Sequence, residues 1–133
     1  MMSQEIIEAF RREYAAMSRK DWVTVFSVAV PDFELKTPAG GLDDGVVRGA
    51  ASARRAFEEF FTPYETLTVE PEAFFEGDGQ IVVFFVQRAR PRESSAFLER
   101  RAAHRWTMRG NKAIRLEIFP RRGDALEAAG LSE

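Results

Sequence analysis

Residues 97–119 read FLERRAAHRWTMRGNKAIRLEIF, and this stretch decides the fold. Two segments with alternating apolar residues, Phe97–Arg109 and Lys112–Phe119, flank the dipeptide Gly110-Asn111. Glycine and asparagine between two such segments are typical of a tight β-hairpin turn, because both tolerate positive φ angles. The stretch therefore predicts two long antiparallel strands.

A second hairpin is predicted just before the first. Its strands are Leu67–Phe75 and Gln80–Ala89, and its turn is Gly77-Asp78-Gly79. The looser segment 90–95 joins the two hairpins. Because strands of eight or more residues twist strongly, we expect the resulting sheet to curl.

The N-terminal half predicts three amphipathic helices. They cover Ser3 to Met17, Asp21 to Ala29, and Gly49 to about Phe61, with Ser3 and Asp21 as N-caps. Pro31 and Pro63 are expected to end the second and third helices.

Three shorter segments complete the chain. Residues 32–37 (DFELKT) alternate as a strand, and Pro38 to Gly45 is a loop rich in turn residues. A closing helical turn is predicted from Asp124, its cap, to Gly130, its stop. Helices followed by sequential hairpins predict an α+β fold, with an antiparallel sheet that curls around the helices and leaves a cavity for a ligand.

Composition narrows the functional classes. The chain has 133 residues, which fits one domain over 1–133, and its zero cysteines exclude disulfides and thiolate chemistry. A net charge of −2 gives no general attraction to nucleic acid or to an anionic membrane. Without an apolar segment of membrane-spanning length or a signal peptide, cytoplasmic localisation is expected, and a single histidine argues against a transition-metal site. We expect no cofactor.

Several local phrases resemble the nuclear transport factor 2-like superfamily, and within it the SnoaL-like proteins related to ketosteroid isomerases and polyketide cyclases. The matching phrases are Asp32-Phe33-Glu34 through Thr37-Pro38, Val46 to Gly49, Ala103 to Thr107 with Gly110 to Lys112, and Ala125 to Leu131. The resemblance implies a cone-shaped, cystatin-like α+β barrel with a pocket at its open end. It also implies a homodimer formed through the sheet.

The isomerase site does not carry over to this chain. Its general base would fall on Thr37, which has no useful basicity, and its oxyanion-hole Asp would fall on Ala103. Its Tyr would fall on Glu13, one step from Tyr14 and about 100° away around the helix. A steroid-isomerase activity is therefore not favoured.

The resemblance to the SnoaL-like cyclases implies one acid–base carboxylate in the pocket, placed late in the sheet. The candidates are Glu99 and Glu117, with His104 as the one imidazole and Arg105 as an orienting or anion-stabilising group. The alternative for both carboxylates is a surface ion pair. The alternative for His104 is a place beside Trp106 on a dimer-facing sheet.

The register of the last hairpin remains open at this point. An ungapped comparison turns Ala103, Arg105, Leu116 and Ile118 inward and His104 and Glu117 outward, and a single β-bulge would reverse this. The predicted ligand-binding residues are Trp22, Phe26, Leu35, Thr37, Phe57, Phe61, Tyr64, Phe85, Arg105 and Leu116.

Two functions are consistent with these features. The first is cofactor-free acid–base chemistry on a small hydrophobic molecule, such as isomerisation, cyclisation or hydrolysis. The second is a non-catalytic ligand-binding or dimeric scaffold module of the same shape. The group that faces the cavity discriminates between them.

Overall fold

The computed structural model describes residues 4–38 and 45–133. The helices are α1 (Gln4–Ser18), α2 (Trp22–Phe26), α3 (Ala50–Phe61) and α4 (Arg122–Ala129). The strands are β1 (Ala29–Lys36), β2 (Val46–Arg48), β3 (Tyr64–Gly77), β4 (Gln80–Pro91), β5 (Leu98–Arg109) and β6 (Lys112–Phe119). They form one curved sheet in the order β2-β1-β6-β5-β4-β3, antiparallel throughout except that β1 runs parallel to β6. The predicted α+β class is confirmed.

The main core lies between the inner face of the sheet and α1, α2 and α3. From α1 it receives Phe10, Tyr14 and Met17, which recur at helical spacing and are almost fully buried. The end of α1 is tied to β3 because the backbone N–H of Val69 donates to Ser18 Oγ at 2.9 Å. This contact fixes the buried face of α1 toward the sheet.

The predicted cap of α2 is confirmed. The carboxylate of Asp21 accepts from the backbone N–H of Thr24 at 3.2 Å and from its hydroxyl at 2.6 Å. The helix ends at Phe26 rather than at Ala29, because the chain already enters β1 at that point.

Proline occurs inside strands where the sequence predicts breaks. Pro31 lies within β1, in the interval between Ala29 and Glu34 where the pairing with β6 shifts register. A proline lacks the N–H that a ladder needs, so such irregular places are where a sheet tolerates it. The short strand β2 was not predicted, since three residues carry too little pattern to be recognised.

The outer face of the sheet carries a smaller apolar cluster under α4. Ala125 and Leu126 pack there against Val82, Phe84 and Ala103. Gly130 ends α4 with a positive φ of 70°, as predicted, because glycine adopts this conformation without strain. Asp124 lies in the first turn of α4, whose N-cap is Arg121 instead.

Two sequence predictions fall on parts of the chain that the structure does not describe. The predicted cap Ser3 and most of the predicted loop, residues 39–44, lie outside the described residues. Within 4–38 and 45–133, none of the helices combines the length and the apolar character needed to cross a bilayer.

Candidate functional site

A cavity of about 240 Å³ lies between the helices and the concave side of the sheet. We call it the main cavity. Its lining is mostly apolar and aromatic, with rings from α3 on one side and from β4 on the other. The lining residues are Met17, Leu35, Thr37, Pro38, Ala56, Phe57, Phe60, Phe61, Val69, Phe85, Gln87, Arg100, His104 and Ile118.

A buried hydrogen-bonded chain supports one wall of the main cavity. Trp106 Nε1 donates to the hydroxyl of Tyr14 at 3.1 Å, and this hydroxyl lies 2.7 Å from Nδ1 of His104. The indole N–H can only donate, so the Tyr14 oxygen accepts from it and its own proton goes to His104. The opposite arrangement would leave a buried hydroxyl proton without an acceptor, which is costly.

This direction of donation determines the tautomer of His104. Because Nδ1 accepts, a neutral ring carries its proton on Nε2. Nε2 has no hydrogen-bond partner among the described residues, while the ring lines the main cavity. The histidine is thus arranged to present an N–H donor to a ligand.

The environment also keeps His104 neutral. Its side chain is only 4% exposed, and burial, reinforced by the positive charge of Arg100, lowers its pKa to about 3. Burial raises the pKa of Tyr14 as well, so the hydroxyl stays protonated. At neutral pH the three hydrogen-bonded side chains, Trp106, Tyr14 and His104, therefore carry no charge.

Two polar residues of the lining lie farther along the sheet. Arg100 and Gln87 pair across β5 and β4, four residues from His104 along β5. This spacing corresponds to about 13–14 Å between the two Cα atoms in an extended strand. The guanidinium itself lies close enough for its charge to help lower the pKa of His104. Within residues 4–38 and 45–133, Arg100 forms no hydrogen bond or ion pair. A guanidinium and an imidazole N–H therefore define two polar points in an apolar cavity.

Residues 10–116 match the family model described as a SnoaL-like domain. The chain belongs to the SnoaL-like family. A search of the curated proteins found no match. Membership of this family suggests that the protein binds a small molecule.

Solved structures share the fold. TerC, co-crystallised with polyporic acid, is 27% identical, with a TM-score of 0.74 over 91% of this chain and 95% of TerC. An NTF2-like protein of unknown function from Burkholderia pseudomallei K96243 is 23% identical, with a TM-score of 0.74 over 95% and 97%. A putative SnoaL-like polyketide cyclase from Jannaschia sp. CCS1 is 14% identical, with a TM-score of 0.72 over 85% and 83%.

Part of the predicted ligand-binding set lies on the main cavity of this SnoaL-like domain. The residues that line it are Leu35, Thr37, Phe57, Phe61 and Phe85, together with the predicted catalytic residue His104. The ring of Trp22 packs instead edge-on against Phe61, 5.0 Å between centroids, behind the lining.

Other predicted ligand-binding residues lie beside the main cavity without lining it. Phe26 and Leu116 belong to the adjoining core, where Phe26 contacts Phe33 and Phe57. Tyr64 lies next to Phe60, 6.3 Å between ring centroids. Their ligand-binding role stays a prediction.

The ungapped register is wrong for β5. It turned Ala103 and Arg105 inward and His104 outward, whereas His104 lines the main cavity and Ala103 packs under α4. Arg105 lies on the outer face, where it donates to the carbonyl of Ala128 at 2.7 Å. The cause is an irregularity near Thr107, beyond which His104 pairs with Ile118 and Trp106 with Leu116, so that these four residues share one face.

The two predicted catalytic carboxylates also lie outside the main cavity. Glu117 faces outward, as the register predicted, and forms an ion pair with Arg105 at 2.7 Å. Glu99 forms ion pairs with Arg88 at 3.1 Å and Arg101 at 3.2 Å. Both are thus in the ion pairs that were the alternative hypothesis.

Three polar residues contribute to the site without having been predicted from the sequence. In the sequence, Tyr14 lies one step from the position of the isomerase tyrosine, and neither Arg100 nor Gln87 is among the predicted site residues. The signal available was strand alternation: Gln87 follows Phe85, and Arg100 precedes His104, each at an even spacing on its strand. With the correct parity both fall on the inner face.

Among residues 4–38 and 45–133, no three His, Asp or Glu side chains come together in a metal-binding arrangement.

Proposed function

We propose that this SnoaL-like protein binds a small, flat, mainly aromatic molecule in the main cavity, through a ligand oxygen that accepts from Nε2–H of His104. The observation that carries the proposal is the hydrogen-bonded chain from Trp106 through Tyr14 to His104 Nδ1. These hydrogen bonds hold the imidazole of His104 as a neutral donor before a ligand arrives, so binding costs little entropy for ordering this side chain.

The size and lining of the cavity support a ligand of one or two rings. Its 240 Å³ exceed the roughly 150 Å³ of an engineered apolar cavity that admits benzene. Phe57, Phe61 and Phe85 offer ring faces and edges to an aromatic ligand.

Arg100 supports an acidic group on the ligand. A guanidinium without an ion pair among the described residues, beside an apolar cavity, suits a carboxylate or an ionised enol. TerC, at 27% identity, was crystallised with a compound named as an acid. We therefore favour an aromatic acid with an additional carbonyl oxygen for His104.

The proposal is tested with a ladder of three probes. 2-Hydroxy-1,4-naphthoquinone has an acidic oxygen and carbonyls, 1,4-naphthoquinone has only the carbonyls, and naphthalene has neither. We expect affinity to fall in this order in calorimetric titrations, because each step removes an acceptor for Arg100 or His104. Equal affinity for all three probes would exclude both polar contacts.

Two variants separate those contacts. In His104→Asn the amide oxygen can still accept from Tyr14, but nothing replaces Nε2–H, so both naphthoquinones should bind about tenfold more weakly. Arg100→Met should weaken only the hydroxylated probe. The matched control is Glu99→Gln, on the outer face of the same strand, which should leave every Kd unchanged.

A second candidate function is activation of a bound carbonyl. A neutral, buried N–H donor stabilises negative charge that develops on an oxygen, as in enolate formation. Among the described residues, the lining of the main cavity holds no carboxylate, so solvent deuteroxide would remove the α-proton while Nε2–H of His104 stabilises the enolate oxygen, and D₂O would return a deuteron to the carbon. If the protein promotes enolisation in this way, it will accelerate exchange of α-protons of a bound ketone in D₂O, and His104→Asn will remove the acceleration. Unchanged exchange rates in the presence of protein would leave binding alone.

We also propose the homodimer through the sheet that the family resemblance implies. Phe97, just before β5, and Leu98, its first residue, are 65% and 49% exposed, which favours a covering partner. Light scattering after size exclusion should give twice the mass of 15.1 kDa. Leu98→Asp should shift the protein to the monomer, and a monomeric wild type at micromolar concentration would refute the proposal.

A further inference from the structure

A second cavity, of about 270 Å³, is lined in part by Trp106, which does not line the main cavity. It is formed by α1, the α2 region and the turn end of the β5–β6 hairpin. Its lining includes Phe10, Glu13, Trp106 and Met108. Neither the predicted ligand site nor the proposed function uses it.

Glu13 is the unusual group in this second cavity. Its Oε2 is buried and has no hydrogen-bond partner among the described residues. Burial, and next the negative charge of Asp21, raise the pKa of Glu13 to about 7. An unpaired buried carboxylate is costly, since it has lost water and gained no partner.

The surroundings do not neutralise this carboxylate. Arg12 also lines the second cavity, but it is exposed and forms no ion pair with Glu13. The other lining side chains near it are mainly apolar, with the rings of Phe10 and Trp106 in edge contact at 5.7 Å. The site therefore combines one anionic point with aromatic surface.

We propose that the second cavity binds a small organic amine, whose ammonium group pairs with Glu13 and whose hydrocarbon body packs against Phe10, Trp106 and Met108. Charge complementarity decides the class of ligand, because a cation provides the partner that the buried oxygen lacks. Aromatic rings beside the carboxylate add attraction for the same charge. This inference goes beyond the proposed function and does not depend on it.

Trp106 provides a direct reporter. Its ring lines the second cavity, while its Nε1 donates to Tyr14 and so reaches His104 in the main cavity. We expect 2-phenylethylamine to shift the Trp106 indole N–H resonance saturably in the millimolar range or below. The resonance is assigned by its persistence in Trp22→Phe.

Matched probes and variants complete the test. 2-Phenylethanol, which has no charge, should bind at least tenfold more weakly than the amine, and Glu13→Gln should weaken the amine to the same degree. Ala9 lines the second cavity at an exposed position of α1, so Ala9→Leu should abolish binding by filling the space. Because the position is exposed, we expect this variant to fold normally. His104→Asn should retain amine binding. Equal binding of alcohol and amine, or full amine affinity in Glu13→Gln, would overturn the proposal.

Proton linkage gives an independent readout. Because the pKa of Glu13 is about 7, pairing its carboxylate with an ammonium group at pH 7 should release about half a proton per amine bound, and affinity should rise between pH 6 and 8. Asp21, whose pKa is lowered by the Thr24 hydrogen bonds, stays ionised over this interval, and His104, whose pKa is about 3, stays neutral. Arg12 is the other charged side chain of the lining. Tyr14 stays protonated there. Calorimetry in buffers of different ionisation enthalpy should detect the release in the wild type only. A pH-independent affinity would contradict a role for Glu13.

Discussion

On the inner face of β5, His104 and Trp106 are buried, neutral and joined through Tyr14 by hydrogen bonds of 2.7 and 3.1 Å. On the outer face of the same strand, Glu99 and Arg101 form exposed ion pairs, and Arg105 forms a half-buried one with Glu117. The polar side chains of one strand are therefore satisfied in two ways, by neutral hydrogen bonds on the inner face and by ion pairs on the outer face. Inside, every shared proton has a defined position, whereas outside water can replace a lost partner.

The difference shows where substitution should matter. An exposed ion pair contributes little, because solvent screens it and holding the side chains costs entropy. A buried hydrogen bond is costly to break, because the remaining partner stays unsatisfied. The contrast can be tested by changing one group at a time on each face.

We expect the largest change in the free energy of unfolding when the pH is lowered. The pKa of His104 is about 3 in the folded chain and near 6.5 when unfolded, so between these values only the unfolded chain binds the proton. Stability from this group is complete above pH 6.5 and is lost as the pH falls toward 3, by a total on the order of 5 kcal/mol. Urea unfolding of the wild type and of His104→Asn at pH 7, 5 and 4 isolates the contribution of His104 to this loss of stability. Equal loss in both proteins would mean that His104 is not held neutral.

Tyr14→Phe should have the next largest effect. Removing the hydroxyl leaves both Trp106 Nε1 and His104 Nδ1 without their partner, which should cost about 2–4 kcal/mol. The matched control is Tyr64→Phe, whose hydroxyl makes no hydrogen bond among the described residues and whose loss should stay within about 0.5 kcal/mol. Similar losses in both variants would remove the distinction between the inner chain and ordinary tyrosines.

Glu117→Gln should cause an intermediate loss in the free energy of unfolding. Its side chain is 12% exposed and that of Arg105 is 21% exposed, so the pair is shielded more than its neighbours on the outer face. We expect a loss of about 1–2 kcal/mol in the free energy of unfolding, with part of it absent at 0.5 M salt. A loss above that of Tyr14→Phe would reverse the proposed order of the two faces.

Glu99→Gln should have the smallest effect. Its partners Arg88 and Arg101 are exposed, so its removal should change the free energy of unfolding by less than about 0.5 kcal/mol. The same variant should bind ligands normally. Loss of turnover on any substrate identified for the protein would instead restore Glu99 as the acid–base group that the sequence suggested.

Regular patterns predicted the fold well. The strand Lys112–Phe119 was predicted with its observed bounds, and α3 begins one residue after the predicted start, because Gly49 serves as its N-cap. Elements that depend on partners were missed or misplaced. Pro31 reads as a helix terminator in the sequence but lies in β1, where pairing with β6 accommodates it.

The site was harder to predict than the fold for a physical reason. Side chains alternate along a strand, so an error of one residue in the register exchanges its two faces. The irregularity near Thr107 produces such a shift and brings His104 rather than Ala103 to the main cavity. Hydrogen bonds such as that between Tyr14 and His104 join residues 90 positions apart, and local pattern contains no information about them.

The two ends of the sheet have a consequence for self-association. Strands at a sheet edge expose unpaired peptide groups and can template aggregation. One edge strand, β2, has three residues, and the other, β3, contains Pro71 at a place where its pairing with β4 is irregular. Neither edge offers a long, uninterrupted ladder to a second copy. For the part of the chain that the structure describes, edge-to-edge addition into fibrils is thereby disfavoured.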